Sequence, residues 1–401
     1  MRYLVPAAFV LCLAGCCYYA PRATVRPSPL PGPGPTGGPS VRVRLTAGNS
    51  TFLSSSRGLT LSTGSARQSV GPNQPVQVSF EGGLVVATGG FATLRTADTL
   101  AVAAGEDGLA PAAPVGQYVR VGDRSYRGRL LLFRSADGGL AVVNVLGLED
   151  YLLGVVPCEI GPINSRTLEA AKAQAVAARS FTITRLGRRK GLGHDLFDSY
   201  LRDQEYRGIE RETDLSRQAV AATRGEVLEF RDEVCEALYH GNCGGVTANG
   251  SQPYLRSVPD TPGHRRGRKA YCSEKPNFSW QTSFGRDSLD AVASRFSGKG
   301  CKVRTVSLET DRESGRVRYL HLATNHGSVR FPGSNFRVAM GLRSTAFTVS
   351  LRGRTVSFNG RGWGHGSGMC QDGTIAMAEA GASYREILQQ YYSGVSLKKR
   401  Y

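Results

Sequence analysis

Between Leu168 and Ser180 the chain sets six alanines (170, 171, 173, 175, 177 and 178) around Gln174 and Arg179. Alanine is the strongest helix former, and small side chains on several sides of one helix demand that other backbone come close on each of them. The run therefore predicts a central helix with little of its surface in water. Ser165 is its expected N-cap, and Glu169 favours the positive end of the helix dipole. Gln174 and Arg179, the larger polar members, point to roles in the interior: lining a site or, for Arg179, pairing with an acid that ties the helix down.

What precedes this helix reads differently. Fifty glycines against two tryptophans in 401 residues favour many turns and short strands, hence a β-rich or α+β build over a helical bundle. Period-two alternation begins at Val41-Arg42-Val43-Arg44-Leu45. Further strands are expected at Val76 to Phe80, Leu84 to Ala87 and Tyr118 to Val121. Leu130 to Phe133, Asp137-Gly138-Gly139 and Leu140 to Val145 form a hairpin pattern, its glycines supplying positive φ in the turn. Residues 41–145 contain no cluster of acids, histidines or cysteines and are expected to be a structural or binding β-domain, with an α+β domain over 146–401.

The start of the chain points to a compartment. Arg2 is followed by an almost wholly apolar stretch closing on Leu13-Ala14-Gly15-Cys16, which resembles a bacterial lipobox. Residues 1–15 would be removed and Cys16 would carry lipid, since the apolar run is too short for a membrane span of about 20 residues. Residues 16–40 form the tether: seven prolines between 21 and 40, interleaved with Gly, Ser and Thr, make a semi-stiff spacer. The expected location is the cell envelope, lipid-anchored to a membrane facing the periplasm or wall. The formal charge of +18 calls for a polyanionic partner. Outside the cytoplasm that partner is an acidic wall polymer and not nucleic acid.

Two segments carry chemistry. The apolar run ending at Pro157 reads as a strand, with the carboxylate of Glu159 just past it and the loop Ile160-Gly161-Pro162 following. Near the C-terminus, Gly362-Trp363-Gly364-His365-Gly366-Ser367-Gly368-Met369-Cys370-Gln371 places glycine at every second position. If extended, this segment sets Trp363, His365 and Ser367 on one face and leaves the other bare for close approach. It lacks the Lys-Ser/Thr of a phosphate loop. Ser383-Tyr384-Arg385-Glu386 then matches a capping box opening a last amphipathic helix.

Together with Tyr126-Arg127-Gly128, Tyr151 to Glu159, Leu168 to Ser180, Gln204-Glu205-Tyr206-Arg207-Gly208, Cys243-Gly244-Gly245-Val246-Thr247 and Ile387 to Gly394, these segments resemble the stage II sporulation protein D family, or SpoIID/LytB domain, in order from Tyr126 to the C-terminus. The resemblance implies an α+β catalytic domain with a cleft. It also implies a peptidoglycan lytic transglycosylase, which cleaves the β-1,4 bond between N-acetylmuramic acid and N-acetylglucosamine and leaves a 1,6-anhydro end. Glu159 falls on the family's general acid/base position. Arg179, Gln174, Tyr206, His365 and Gln371 fall on motif positions that could bind substrate, with His365 alternatively a hydrogen-bonding residue of a tight turn. The partners implied are glycan strands and, in the family's other role as a non-catalytic activator, an N-acetylmuramoyl-L-alanine amidase.

Such chemistry requires no cofactor. Some family members nevertheless bind zinc near the cleft, and His240, Cys243 and Cys272 could supply three ligands. A Cys243–Cys272 disulfide explains the same residues in an oxidising compartment. A cysteine nucleophile at Cys158 or Cys370 would need a base in reach and a lowered pKa.

Overall fold

In the computed structural model, which describes residues 38–64, 66–105 and 117–401, the chain enters its fold at strand β1 (Ser40–Leu45). Val41, Val43 and Leu45 turn into the core as the alternation requires. β1 pairs antiparallel with Leu140–Gly147 on one side and parallel with Leu196–Phe197 on the other. The seven-stranded sheet continues from Leu140–Gly147 through Arg129–Arg134, Leu100–Ala104 and Leu59–Ser62 to Arg67–Val70. The expected hairpin is present, with Leu132 opposite Val142 and Gly138 at φ +90° in the turn. A six-stranded antiparallel sheet includes the expected strands as Val76–Glu81, Leu84–Gly89 and Val119–Val121. Its Leu53, Val76, Val78 and Val85 join Leu59, Leu61, Val102 and Leu130 of the first sheet in one core. The lipobox, Cys16 and nearly all of the spacer lie outside the described residues.

The segment leading to Glu159 is helical, contrary to the strand expected from its apolar run. Helix α1 spans Leu148–Ile160, with Gly147 as an extended N-cap and Glu149 and Asp150 in the first turn, where the helix dipole favours acids. Leu148, Tyr151, Leu152, Val155 and Val156 recur at helical spacing and are all fully buried. Pro157 sits in the last turn, close enough to the end for the helix to finish at Ile160. Helix α2 (Leu168–Arg185) has Thr167 at its N-cap, two residues later than the expected Ser165, because Asn164 folds a turn in which its Oδ1 accepts from the N–H groups of Arg166 and Thr167. All six alanines are fully buried, as the composition demands. Gly154 of α1 faces the backbone of Gly208, where a Cβ would come within 2.5 Å of the carbonyl oxygen. This close approach packs the Gln204–Gly208 segment against α1.

Two further features shape the α+β architecture. Tyr239–His240 pairs in parallel with Met369–Cys370, joining the middle of the chain to its end. Between them in sequence lies a region with its own core of Trp280, Leu289, Leu320, Phe331, Phe336 and Phe358. It is built from two three-stranded sheets and the helices Arg286–Ser297 and Gly333–Ala339. The sequence reading drew no boundary within 146–401. The main core, by contrast, runs from Val41 to Tyr392 without a break at residue 145. Among the described residues no helix is long and apolar enough to cross a membrane.

Candidate active site

The C-terminal turn of α1, the Gln204–Gly208 segment, Tyr239 and the glycine-rich segment before Gln371 surround a cavity of about 1340 Å³. Glu159, Glu205, Tyr239, His365, Trp363 and Gln371 line it. Glu159 is half-buried, and both of its carboxyl oxygens accept hydrogen bonds. Oε1 takes the Glu205 backbone N–H at 2.7 Å, and Oε2 takes Nε2 of Gln371 at 3.2 Å. Burial pushes the Glu159 pKa up to about 7, aided by the nearby Glu205 charge and opposed by the bonds from Glu205 N–H, Gln371 and the Tyr239 hydroxyl. A carboxyl group so poised holds its proton for part of the time at neutral pH and gives it up readily.

The supports of this group come from elements far apart in sequence. Gln204 is fully buried and orients Tyr239, donating from Nε2 to the Tyr239 hydroxyl at 2.8 Å. Its Oε1 accepts from Tyr151 and Thr182. Gln371 begins the helix Gln371–Glu379, and its Nε2 is shared between Glu159 and Oε1 of Gln174 at 3.4 Å. Gln174 is therefore part of the arrangement, but from behind Gln371 and without exposure to the cavity. Four glycines of the C-terminal segment, 362, 364, 366 and 368, all have positive φ between 73° and 103°, so the segment is not the extended strand that the spacing implied. Trp363 and His365 reach the cavity, whereas Ser367 is buried.

His365 has both ring nitrogens engaged. Nε2 donates to the Tyr239 carbonyl at 3.0 Å, and Nδ1 accepts the Ser367 backbone N–H at 3.2 Å. One side of it is exposed to the cavity, and the protein packed around the rest of the ring, with Arg316 and Arg337 nearby, lowers its pKa to about 4. At neutral pH it is an uncharged pin that fixes the tight turn, with its ring edge open to a ligand.

Arg179 and Tyr206 do not reach the cavity. Arg179 is fully buried, and its Nε and Nη2 each donate to Glu149 at 2.8 Å while Nη1 donates to the Glu226 carbonyl at 3.0 Å. Its role is the alternative raised from the sequence, an acid partner that ties α2 to α1. Tyr206 is 1% exposed, donates to Asn144 Oδ1 at 2.9 Å and packs on Tyr126 and Tyr151. Both are core residues rather than substrate contacts, because no surface of either is open to a ligand.

The proposed metal trio is also redistributed. Cys243 and Cys272 are free, with sulfurs 3.5 Å apart, but His240 is not part of their group: its Nδ1 meets the Ser367 carbonyl at 3.2 Å and its ring lies tilted against that of His365. The residues that converge are Cys243, Asp260, Cys272 and Cys370. Cys158 lines the cavity, yet burial and the Glu205 charge raise its thiol to about 11, which keeps it protonated and a poor nucleophile at neutral pH. Sequence reasoning missed Tyr239 and Glu205 as cavity residues. Glu205 sat inside a quoted motif beside Gln204, while Tyr239 carried no signal beyond its place next to His240.

Comparison with known proteins agrees with the family resemblance. A family model described as stage II sporulation protein, SpoIID, matches residues 136–230. An uncharacterized protein of Brachyspira hyodysenteriae is 30% identical over 271 residues, covering 67% of this chain and 71% of that protein. The stage II sporulation protein D of Bacillus amyloliquefaciens is 28% identical over 283 residues, 64% of this chain and 76% of the relative. The amidase enhancer of Bacillus subtilis is 30% identical over 295 residues, 61% of this chain but only 40% of that longer protein.

Proposed function

Since the chain belongs to the SpoIID/LytB family, we propose that it is a peptidoglycan lytic transglycosylase with Glu159 as its single general acid/base. The observation that carries this reading is the Glu159 carboxyl itself: it faces the cavity, sits at about 7 and is held by Gln371 and the Glu205 N–H. Protonated, Glu159 gives its proton to the glycosidic oxygen as the bond from that oxygen to C1 of N-acetylmuramic acid breaks. The resulting carboxylate then takes the proton of the C6 hydroxyl while O6 bonds to C1, closing the 1,6-anhydro ring and restoring the acid. The donors from Glu205 N–H and Gln371 stabilise the ionised midpoint, and burial favours the protonated start. No water is consumed.

Mass spectrometry of purified glycan strands tests this. Anhydro-ended products that vanish with Glu159→Ala are expected. Products carrying added water would overturn the single-acid mechanism and turn attention to Glu205 as a second carboxylate. The similarity to an amidase enhancer supports a second reading, a wall-binding activator of an N-acetylmuramoyl-L-alanine amidase. No glycan cleavage, with stimulation of an amidase on mixing, would favour it.

The proposed location is the cell envelope, with lipid on Cys16 and the prolines of 21–40 as the tether. A Cys16→Ser chain is expected to leave the membrane fraction, and its retention there would refute the anchor.

A further inference from the structure

Behind the cavity floor, Cys243, Asp260, Cys272 and Cys370 bring one ligand atom each into a group in which all four lie within 4.8 Å of one another. All four residues are buried. From these residues we infer a structural zinc site of three thiolates and one carboxylate. A tetrahedral zinc with bonds of about 2.3 Å to sulfur separates two sulfurs by about 3.8 Å, and the Cys243 and Cys272 sulfurs are 3.5 Å apart.

The surroundings are those of an anionic centre. The Cys370 sulfur faces the backbone N–H groups of Cys243 at 3.2 Å and Gly373 at 3.4 Å, and the Cys243 sulfur faces that of Gly245 at 3.3 Å. Amide N–H groups aimed at sulfur stabilise a thiolate rather than a thiol. Asp260 is held by the Tyr391 hydroxyl at 2.6 Å on Oδ1 and the Cys272 N–H at 3.0 Å on Oδ2, which orients the carboxylate.

A separate observation points the same way. Arg316 is 4% exposed, lies within electrostatic reach of the Cys243, Cys370 and Cys272 sulfurs, and donates to the Cys243 carbonyl at 2.7 Å. Among the described residues no Asp or Glu pairs with it, and its Nε has no hydrogen-bond partner. A buried guanidinium without a counter-charge is costly. Zinc held by three thiolates and a carboxylate carries a double negative charge and supplies one. A Cys243–Cys272 disulfide would leave both Cys370 and Arg316 without an explanation.

The ion would clamp the loop at Cys243, the turn at Tyr271–Glu274 and the start of the helix Gln371–Glu379. Cys370 immediately precedes Gln371, so the clamp would set where that amide meets Glu159.

The test uses the full chain prepared without chelators, with metal content measured by plasma mass spectrometry. About one zinc per chain is expected, falling about tenfold in Cys370→Ala and remaining unchanged in His240→Ala. Cobalt in place of zinc should give intense sulfur-to-cobalt absorption in the near ultraviolet. Less than about a tenth of an equivalent after zinc is offered to the reduced protein would overturn the inference. So would iron in place of zinc, or a Cys243–Cys272 disulfide in unreduced peptide maps. If Cys370→Ala does not fold, the metal content and cobalt spectrum of the unaltered chain still decide. None of these readouts depends on glycan cleavage, so the zinc site and the proposed activity stand or fall separately.

Discussion

Glu159 couples stability to pH in a direction set by its environment. Its carboxyl binds a proton more tightly in the folded chain, at about 7, than at the ordinary value of 4.5. Below the lower value both states are protonated and the group contributes nothing. As pH rises from there through about 7, the unfolded chain sheds the proton first and folding stability falls. Glu159→Gln is therefore expected to melt above the parent at about pH 8 and together with it at about pH 4, as followed by calorimetry. Glycan cleavage should fall as pH rises through about 7, where the proton to be donated is lost. A rate that rises through this range would contradict Glu159 as the acid. Arg179 shows how residue type alone misleads: a guanidinium beside a motif glutamine reads as a ligand for a polar substrate, yet full burial commits it to Glu149.

At the scale of elements, that same pair joins α1 to α2. Removing one partner of a buried ion pair strands the other charge, at a cost of about 3–5 kcal/mol. Arg179→Met should lower stability by about that amount in denaturant titrations. The KM of whatever remains folded should be unchanged, because the side chain touches no part of the cavity. A raised KM at unchanged stability would restore it to the binding surface. The misreading of α1 has a similar physical origin. Its apolar residues run nearly without interruption because the helix is enclosed on most sides, and a helix buried all round resembles a buried strand in composition. The spacing of Leu148, Tyr151, Leu152, Val155 and Val156 nonetheless carried the helical period. The capping box at Ser383 and Glu386 and the hairpin around Gly138 were legible because each rests on local chemistry. The positive φ of all four glycines from 362 to 368 was not, since it depends on bridges from Trp363 to Asn242 and from Gly364 to Ser344.

Across the whole molecule, the amino-terminal strands and the helical region share one core, and β1 is the seam. It lies between Leu140–Gly147 and Leu196–Phe197, and Arg42 adds a buried ion pair to Asp195. A chain beginning at residue 146 would lose this strand and leave Leu196, Tyr151 and their neighbours uncovered. It is expected not to unfold cooperatively, whereas in a chain beginning at residue 38 the amino-terminal strands and the helical region should melt together when followed by circular dichroism. A cooperative melt of the shorter chain would make residues 41–145 a separable domain, as their composition had implied. The region around Trp280 and Phe358 was hidden for the opposite reason: it lies between the Cys243 and Gly362 segments, and its core is assembled from short strands that carry no chemical motif of their own.

The hydrogen bond between Gln371 and Glu159 spans 212 residues of chain. A polypeptide made from its amino end presents the acid long before the amide that steadies it, and Met369–Cys370 must dock on Tyr239–His240 before the two can meet. A fragment that ends before residue 371 carries the acid without the amide that steadies it, so the hydrogen-bonded arrangement around Glu159 forms only once both segments are present.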